Sequence, residues 1–326
     1  MKNINFSASE GYETNIFITS DESFEDFNNF SEMYSTLTIL DSKLRNTLKF
    51  QKSAKFIRGG EEAKFLDKYL DIIEEIKKNE YHNILCAGGG AVLDVSGYSF
   101  FTLNFNKKNL IMYPSTFSSM ILLPLTGNFY MDLNYKTNYL GVKGNPGKII
   151  INTNFLKTLP ISVLKNQFFS AYFVSKYMEK RYSELTVNYI KNFKNIDMED
   201  YLYNFSSFFV SLISGYESVP GINLTDVIIR NTRIIDFDYL KIYMYSYLIM
   251  LFISQLHGFF YDIDGEIDTI KIFGLFDRNY FKQIYKNLSI TIPFSELILT
   301  KNGFQLCEVT PELLEKAVKK LENYLG

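Results

Sequence analysis

Short runs rich in β-branched and aromatic residues alternate with helical patterns in the first half of the chain. In residues 61–79, apolar side chains recur at helical spacing with charges on the opposite face, which predicts an amphipathic helix packed on a sheet. The predicted strands cover residues 14–20, 35–40, 54–57, 83–87 and 110–113. Strands that alternate with helices are typical of an α/β layer structure, so we expect a mostly parallel sheet.

After Pro160 the strand signals fade and longer helical patterns follow. These patterns cover approximately residues 162–189, 200–214, 239–256, 277–288 and 310–324. We therefore predict an α/β domain over residues 1–160 and an all-α domain over residues 161–326. No internal repeat or low-complexity linker is evident, so we expect the two domains to pack around a shared cleft.

Two stretches without charged residues must be tested as membrane spans, since about 20 apolar residues cross a bilayer. Residues 109–131 contain prolines and a glycine that would break a spanning helix. Residues 242–261 are the stronger candidate, but they include serines, a histidine and several tyrosines. We interpret this second stretch as a buried core helix and expect no membrane partner.

The charged residues limit which partners the protein can attract. The chain has 34 Lys and Arg against 36 Asp and Glu, so its net charge of −2 offers no general attraction to nucleic acid or to an anionic membrane. With 47% hydrophobic residues it can bury a sizeable core. Its two cysteines cannot form a disulfide framework, and the first residues lack the apolar stretch of a signal peptide. We therefore expect a reduced, cytoplasmic setting.

The strongest local signal for chemistry is a predicted strand that runs into Gly88, Gly89 and Gly90 and then into a helix. Bare backbone N–H groups and a helix N-terminus can approach an anion there, which makes the turn a candidate phosphate cradle. The spacing differs from the G-x-G-x-x-G dinucleotide fingerprint, so a purely structural turn stays open. Two further motifs are GGEEAK at residues 59–64, which helix capping alone would explain, and YPST at residues 113–116, which offers two hydroxyls.

These motifs, in this order and spacing, resemble the 3-dehydroquinate synthase family of sugar-phosphate cyclases. The matching segments are GEEAK at residues 60–64, GGGAVLDVSG at 88–97, PST at 114–116, NTNFLKTLP at 152–160 and VTPELL at 309–314. The match is closest over residues 59–160, and the combination is far more specific than any one motif.

The resemblance implies an NAD-binding α/β domain over residues 1–160 and a helical domain over residues 161–326 that holds substrate and a divalent metal. The family chemistry is transient oxidation by NAD, elimination of phosphate, re-reduction and ring closure. By resemblance, the cofactor side would be formed by Asp41, Glu61, Lys64, Gly88, Gly89, Asp94, Ser115, Thr116 and Asn138. A carboxylate suits ribose hydroxyls, and glycines suit a pyrophosphate. The implied partners are a phosphorylated sugar or nucleotide and a second copy of the chain or a paralogue in a dimer.

The substrate and metal positions depart from the family pattern. The replacements are Ser170 for the metal-binding Glu, Phe173 for a Lys, Leu122 for an Asp, Asn128 for a Lys and Asn106 for an Arg. The family also uses two histidines as metal ligands, whereas this chain contains only His82 and His257. We interpret His257 as an incidental residue at a helix end. We therefore expect NAD as the possible cofactor and no bound zinc.

Three functions stay open at this point. The leading hypothesis is a divergent dehydroquinate synthase-like protein that keeps the fold and NAD binding but has lost or changed the phosphate-eliminating reaction. The second is an active cyclase with displaced metal ligands, for which the candidates are Glu184, Asp236, Asp238, His257 and Asp262. The third is a non-catalytic subunit that pairs with an intact paralogue. The acidic run at residues 262–268 lacks the calcium-loop pattern, and we interpret it as a solvated loop.

Overall fold

The computed structural model describes residues 1–7, 13–48, 54–104, 109–122, 126–134, 136–192, 196–216, 219–232, 238–286, 288–301 and 303–325. The chain divides into two compact units. The first comprises Met1–Pro160 and Asp197–Ser214, and the second comprises Ile161–Ile196 and Gly215–Gly326. We call them the α/β unit and the helical unit.

The strands are β1 (Lys2–Ser7), β2 (Glu13–Thr19), β3 (Thr36–Asp41), β4 (Lys55–Ile57), β5 (Asn83–Gly88), β6 (Asn109–Pro114), β7 (Asn128–Leu133), β8 (Lys136–Lys143), β9 (Lys148–Asn152), β10 (Phe294–Thr300) and β11 (Gly303–Val309). The helices are α1 (Glu25–Ser31), α2 (Leu66–Asn79), α3 (Gly90–Thr102), α4 (Phe117–Ile121), α5 (Ile161–Ser175), α6 (Lys180–Asn192), α7 (Met198–Tyr216), α8 (Ile222–Asn231), α9 (Tyr239–Leu256), α10 (Ile263–Lys271), α11 (Arg278–Lys286) and α12 (Pro311–Leu325).

The α/β unit is built on a sheet in the order β1-β2-β9-β6-β5-β3-β4. All of its described pairings are parallel except that between β1 and β2, which confirms the predicted mostly parallel sheet. Strands β2 to β6 are the five predicted ones, whereas β1, β7, β8 and β9 were not predicted. Strands β7 and β8 form a separate antiparallel pair.

One face of this sheet packs against α2, α3 and β7. Strand β5 is buried at every position, as expected for a central parallel strand covered by helices. Its Ile84 and Cys86 share a core with Ile72 of α2, Val92 of α3 and Phe129 of β7. This packing holds the start of α3 against the end of β5, where the glycine turn lies.

The helical unit departs from the predicted all-α architecture because it also contains the hairpin of β10 and β11. The apolar run at Leu297, Ile298 and Leu299 is buried in this unit. Strand β10 is also anchored by polar bonds: the Leu299 N–H donates to Ser254 Oγ of α9 at 3.2 Å. The predicted mainly helical character is confirmed, but the predicted segment 162–189 is two helices, α5 and α6, and helices α8 and α10 were not predicted. The predicted helix at residues 200–214 belongs to the α/β unit.

Helix α9 contains most of the stretch tested as a membrane span, and it is buried from Ile242 to Ser254. None of the described helices is long and apolar enough to cross a membrane. The interpretation of this stretch as a core helix is therefore correct.

The acidic run at residues 262–268 forms the start of α10 and is not a loop. Asp262 caps this helix, since its carboxylate accepts a hydrogen bond from the Gly265 N–H at 3.0 Å. Glu266 is buried on the inner side of the helix. The interpretation as a solvated loop is wrong because helical periodicity directs one of the acids inward.

Candidate functional site

Three neighbouring strands of the α/β unit end in the predicted cofactor residues. Asp41 ends β3, Gly88 ends β5, and Ser115 follows β6. These strands are adjacent and parallel, in the order β6-β5-β3, so their carboxyl ends lie along one edge of the sheet. Ligands of open α/β sheets bind outside this edge.

Two glycines of the turn after β5 lie where a side chain would be too close to its neighbours. A Cβ at Gly88 would lie 2.7 Å from Val92 Cβ, and one at Gly89 would lie 3.2 Å from Thr116 Cγ2. The Ser115 N–H donates to the Gly88 carbonyl at 2.8 Å, which fixes the two loops side by side. Gly89 precedes α3, and no side chain caps that helix. The helix N-terminus thus presents backbone N–H groups beside Thr116, as an anion site requires.

Asp41 lies against the other glycine motif. Its carboxylate accepts a hydrogen bond from the Lys43 N–H at 3.0 Å, and a Cβ added at Gly59 would collide with it. Gly60 has a φ of 114°, which side chains rarely adopt. Both glycines therefore have structural roles, and they leave room for the Asp41 carboxylate at the strand end.

Thr116 has a structural role that its motif did not predict. Its hydroxyl lies 2.8 Å from Ser119 Oγ, and the two residues form a capping box at the start of α4. Ser115 beside it is buried. The Thr116 side chain therefore helps to fix the loop next to Gly89. Its hydroxyl already has a hydrogen-bond partner in Ser119.

Lys64 is the centre of a buried ionic cluster in the α/β unit. Its ammonium lies 3.5 Å from Glu61 Oε2, 3.7 Å from Asp94 Oδ2 and 3.8 Å from Asp132 Oδ1. It also donates a hydrogen bond to Asn138 Oδ1. We call these five residues the Lys64 cluster. Glu61 and Lys64 share one 3₁₀ turn, whereas α3, β7 and β8 bring in the other three members.

Two carboxylates of this cluster also accept hydrogen bonds from the backbone. Asp94 Oδ1 accepts from the Tyr130 N–H at 3.0 Å, and Asp132 Oδ1 accepts from the Asn138 N–H at 2.9 Å. Asn138 adopts a left-handed φ of 54°, which Asn tolerates better than most residues. Asp132 was not predicted as a site residue. The available signal was that it is the one acid in the otherwise apolar run FYMDL.

Charge in the Lys64 cluster is unbalanced, with three carboxyls around one ammonium. Burial raises the pKa of Asp94 to about 7, although Lys64 opposes the shift. Burial also raises the pKa of Asp132. For Lys64 burial would lower the pKa, but Asp94, Glu61 and Asp132 together outweigh it and raise the value. The lysine therefore stays charged while Asp94 can hold a proton near neutral pH.

The helical unit offers different chemistry at the family's substrate and metal positions. Ser170 and Phe173 lie on α5 and are completely buried. The Phe173 ring centroid lies 4.5 Å from that of Tyr247 and 4.9 Å from that of Tyr243. In the part of the chain that the structure describes, no group of three or more His, Cys, Asp or Glu side chains could hold a metal ion. These residues do not fit the divalent metal that the resemblance implies.

Those alternative metal ligands that the structure describes do not converge either. Asp238 caps α9 through the Lys241 N–H at 3.1 Å, and Asp262 caps α10. Glu184 pairs with Lys180 at 3.3 Å on the surface. His257 lies against Cys307. Asp236 falls outside the described residues, as does Asn106.

Two buried carboxylates of the helical unit were missed by the sequence analysis. Glu266 accepts hydrogen bonds from the hydroxyls of Tyr172 and Tyr247 at 2.8 and 2.7 Å, and it pairs with Lys176 at 2.7 Å. Glu296 accepts from the N–H groups of Gly221, Leu224 and Leu297 at 3.1, 2.6 and 2.7 Å. It thereby caps the start of α8 from β10, which explains why a carboxylate is buried there.

Residues 54–166 match the family described as 3-dehydroquinate synthase N-terminal. The 3-dehydroquinate synthase of Saccharolobus solfataricus is 31% identical over 143 residues, which is 42% of this chain and 39% of that protein. The bifunctional 3-dehydroquinate synthase/phosphatase of Fusobacterium nucleatum is 27% identical over 197 residues, which is 57% of this chain and 29% of that protein. The matched region thus spans well under half the length of these relatives.

Solved structures extend the similarity of fold to nearly the whole chain. A 2-deoxy-scyllo-inosose synthase complexed with carbaglucose-6-phosphate, NAD+ and Co2+ has a TM-score of 0.75 at 14% identity and covers 98% of this chain and 100% of that one. The 2-epi-5-epi-valiolone synthase of Streptomyces hygroscopicus, with NAD+ and Zn2+ bound, has a TM-score of 0.72 at 12% identity, with 98% and 99% covered. Residues 54–166 are therefore similar to the N-terminal part of 3-dehydroquinate synthases, which confirms the resemblance of the motifs in that region. Over the rest of the chain, the solved structures show a similarity of fold.

Proposed function

We propose that the protein binds a nicotinamide dinucleotide with its α/β unit but does not carry out metal-dependent phosphate elimination at the family position. The observation that carries this proposal is a contrast within one chain. The sheet edge has its glycine turn and its uncapped helix N-terminus, whereas Ser170 and Phe173 of α5 are completely buried and Phe173 packs against the rings of Tyr243 and Tyr247.

The residues at the sheet edge fit NAD chemically. Asp41 could accept hydrogen bonds from ribose hydroxyls, and Gly88, Gly89 and the first N–H groups of α3 could receive the pyrophosphate. When bound, NAD would supply hydride transfer. The Lys64 cluster would hold a fixed positive charge and a protonatable carboxyl, Asp94, close to this edge. Two solved relatives in the same fold carry NAD+ in their complexes, which supports the proposal.

Calorimetry with NAD+ and NADH tests the cofactor proposal. We expect wild-type protein to bind and Gly89→Leu to bind at least about tenfold more weakly, because the side chain would fill the space beside Thr116. Gly147→Ala is the matched control, since a Cβ there has no neighbour closer than 3.8 Å. Lack of nicotinamide nucleotide binding by the wild-type protein would refute the proposal and leave only the fold.

Phosphate release tests the catalytic proposal. With the seven-carbon phosphate substrate of dehydroquinate synthase, we expect turnover far below the range of about 1–1000 per second that is typical of enzymes. The reason is that a buried Ser hydroxyl and a Phe ring cannot polarise a carbinol oxygen or pair with a phosphate. Robust phosphate release that a chelator abolishes would show instead that an active cyclase uses displaced ligands.

The alternative to a catalytic function is that the protein is a non-catalytic subunit of a dimer. The implied substrate class is a phosphorylated sugar or a nucleotide, and the implied assembly is a dimer with a second copy or with a paralogue. A non-catalytic subunit would fail both assays and would still change the activity of an intact paralogue when the two are mixed. The reduced cytoplasm suits the chain because both cysteines are free.

A further inference from the structure

Cys307 and His257 are the one pair of potential soft-metal ligands that the described residues bring into contact outside the cofactor region. Cys307 Sγ lies 3.3 Å from His257 Nε2, although the two residues are far apart in sequence. His257 follows the last residue of α9 and is exposed, and Cys307 lies on β11 and is half-buried. The other cysteine, Cys86, is completely buried in the sheet and cannot compete for an ion.

The separation of the two atoms fits a shared tetrahedral ion. With a Zn–S bond of about 2.3 Å and a Zn–N bond of about 2.0–2.1 Å, a tetrahedral angle separates sulfur and nitrogen by about 3.5 Å, whereas a linear arrangement needs about 4.3 Å. The observed 3.3 Å is close to the tetrahedral value. Without metal the same contact is a hydrogen bond, so the pair is held in position before any ion arrives.

One chain supplies only half of a tetrahedral site. No third His, Cys, Asp or Glu completes the pair within the described ranges. Strand β11 pairs with β10 in a two-stranded sheet, so its other side is an edge among the described residues. Such an edge is a template for another strand. Exposed apolar side chains accompany the pair: Leu256 is 37% exposed, Leu306 58% and Phe260 93%.

We propose that Cys307 and His257 form half of a Cys₂His₂ zinc site that a second copy of this chain completes across β11. Antiparallel pairing of two β11 strands about a two-fold axis at Cys307 would place the two Cys307 Cα atoms about 4.5–5.5 Å apart. A two-fold contact repeats each ligand, so two residues become four. Each thiol releases its proton to solvent when its sulfur binds zinc. This site is distinct from the family's metal position on α5 and does not depend on the proposed cofactor.

The test is sedimentation of chelator-stripped protein with and without ZnCl₂, in a phosphine reductant that keeps thiols reduced. We expect zinc to double the mass of the zinc-free species, whatever that mass is, with one zinc per two chains, and EDTA to reverse the change. Cys307→Ser and His257→Gln should each weaken the association at least about tenfold, since each removes two of four ligands. His82→Gln, which changes the only other histidine, should associate like wild type.

Cobalt gives a second measurement that needs no variant. Co²⁺ bound to wild-type protein should show tetrahedral d–d bands and a thiolate charge-transfer band with the intensity of two thiolates per ion. Several results would overturn the proposal: zinc that leaves the mass unchanged, zinc-dependent association that persists in Cys307→Ser, or association that follows oxidation and is reversed by reductant instead of EDTA.

Discussion

The Lys64 cluster and the surroundings of Phe173 on α5 are two interior regions of opposite character. The first is charged and the second is aromatic. Around Lys64, carboxyls from three different elements approach an ammonium, and Asp94 and Asp132 also accept backbone hydrogen bonds. Around Phe173, aromatic rings pack at centroid separations of 4.5 and 4.9 Å. The first region is held by paired charges, whereas the second is held by apolar contact between rings.

This difference teaches that the two regions are stabilised by different interactions. Packing Phe173 against aromatic rings favours folding through burial of apolar surface. The Lys64 cluster instead costs desolvation of several charges, which its ion pairs and hydrogen bonds must offset.

The largest effect is expected when a charge is placed in the apolar region. Ser170→Glu should destabilise the protein by about 4 kcal/mol or more, because Ser170 is completely buried and the new carboxylate would lose its hydration. Ser170→Ala introduces no charge and should cost only about 1 kcal/mol. Urea unfolding followed by circular dichroism measures both. A Glu variant as stable as the Ala variant would mean that α5 has room and partners for a metal-binding carboxylate.

The second-largest loss of stability is expected when the positive charge of the Lys64 cluster is removed. Lys64→Met leaves the buried carboxyls of Asp94 and Asp132 without their cation, and we expect a loss of about 3–5 kcal/mol. Lys68→Met is the matched control, because it also removes a lysine that pairs with a carboxylate, here Asp67 at 2.9 Å, but this lysine is 38% exposed. Such an exposed pair contributes less than about 1 kcal/mol. Equal losses from the two variants would show that the Lys64 cluster is not a cooperative ionic unit.

The pH dependence of stability should distinguish the units. Burial raises the pKa of Asp94 from 3.8 to about 7, and burial raises that of Glu296 from 4.5 to about 7. A carboxyl whose pKa is raised in the folded state stabilises the folded protein fully at pH values below its unfolded-state pKa. This stabilisation is lost as the pH rises through the folded-state pKa. We expect each carboxyl to lower the free energy of unfolding by about 2 kcal/mol between about pH 5 and about pH 8.

Two variants separate these contributions. Asp94→Asn should remove the part of the pH dependence of the unfolding free energy that arises in the α/β unit. Glu296→Gln should remove the part that arises in the helical unit. Urea unfolding at a series of pH values provides the profiles. A profile that keeps the wild-type slope in both variants would assign the pH dependence to other groups.

The smallest effects are expected at the helix caps. Thr116→Ala removes the capping box of α4 in the α/β unit, and Asp238→Ala removes the cap of α9 in the helical unit. Each should cost about 1 kcal/mol. Thermal or urea unfolding measures both. A much larger loss at Thr116 would indicate that its contact with Gly89 also supports the glycine turn.

Much of the α/β unit was predictable because its signals are local. Strands β2 to β6 follow β-rich runs, and α2 follows a helical spacing of apolar residues that starts five positions later than the predicted segment, after a 3₁₀ turn at Glu61–Lys64. Strands β7 and β8 were missed because they form a hairpin outside the main sheet. The hairpin of β10 and β11 was missed because contacts that are distant in sequence anchor it. Glu296 of β10 accepts from N–H groups at the start of α8, and Ser254 of α9 accepts from the Leu299 N–H of β10.

By itself the sequence determined the resemblance over residues 54–166, the mostly parallel sheet and the glycine turn, since each depends on residues that are close in the chain and interact by backbone geometry. The tertiary structure alone decided which distant residues meet. It brought Asp132 to Lys64, packed Phe173 against Tyr243 and Tyr247, and set Cys307 beside His257. Such contacts depend on how helices and strands pack, because only the packed core determines which side chains are desolvated together and which charges find a partner.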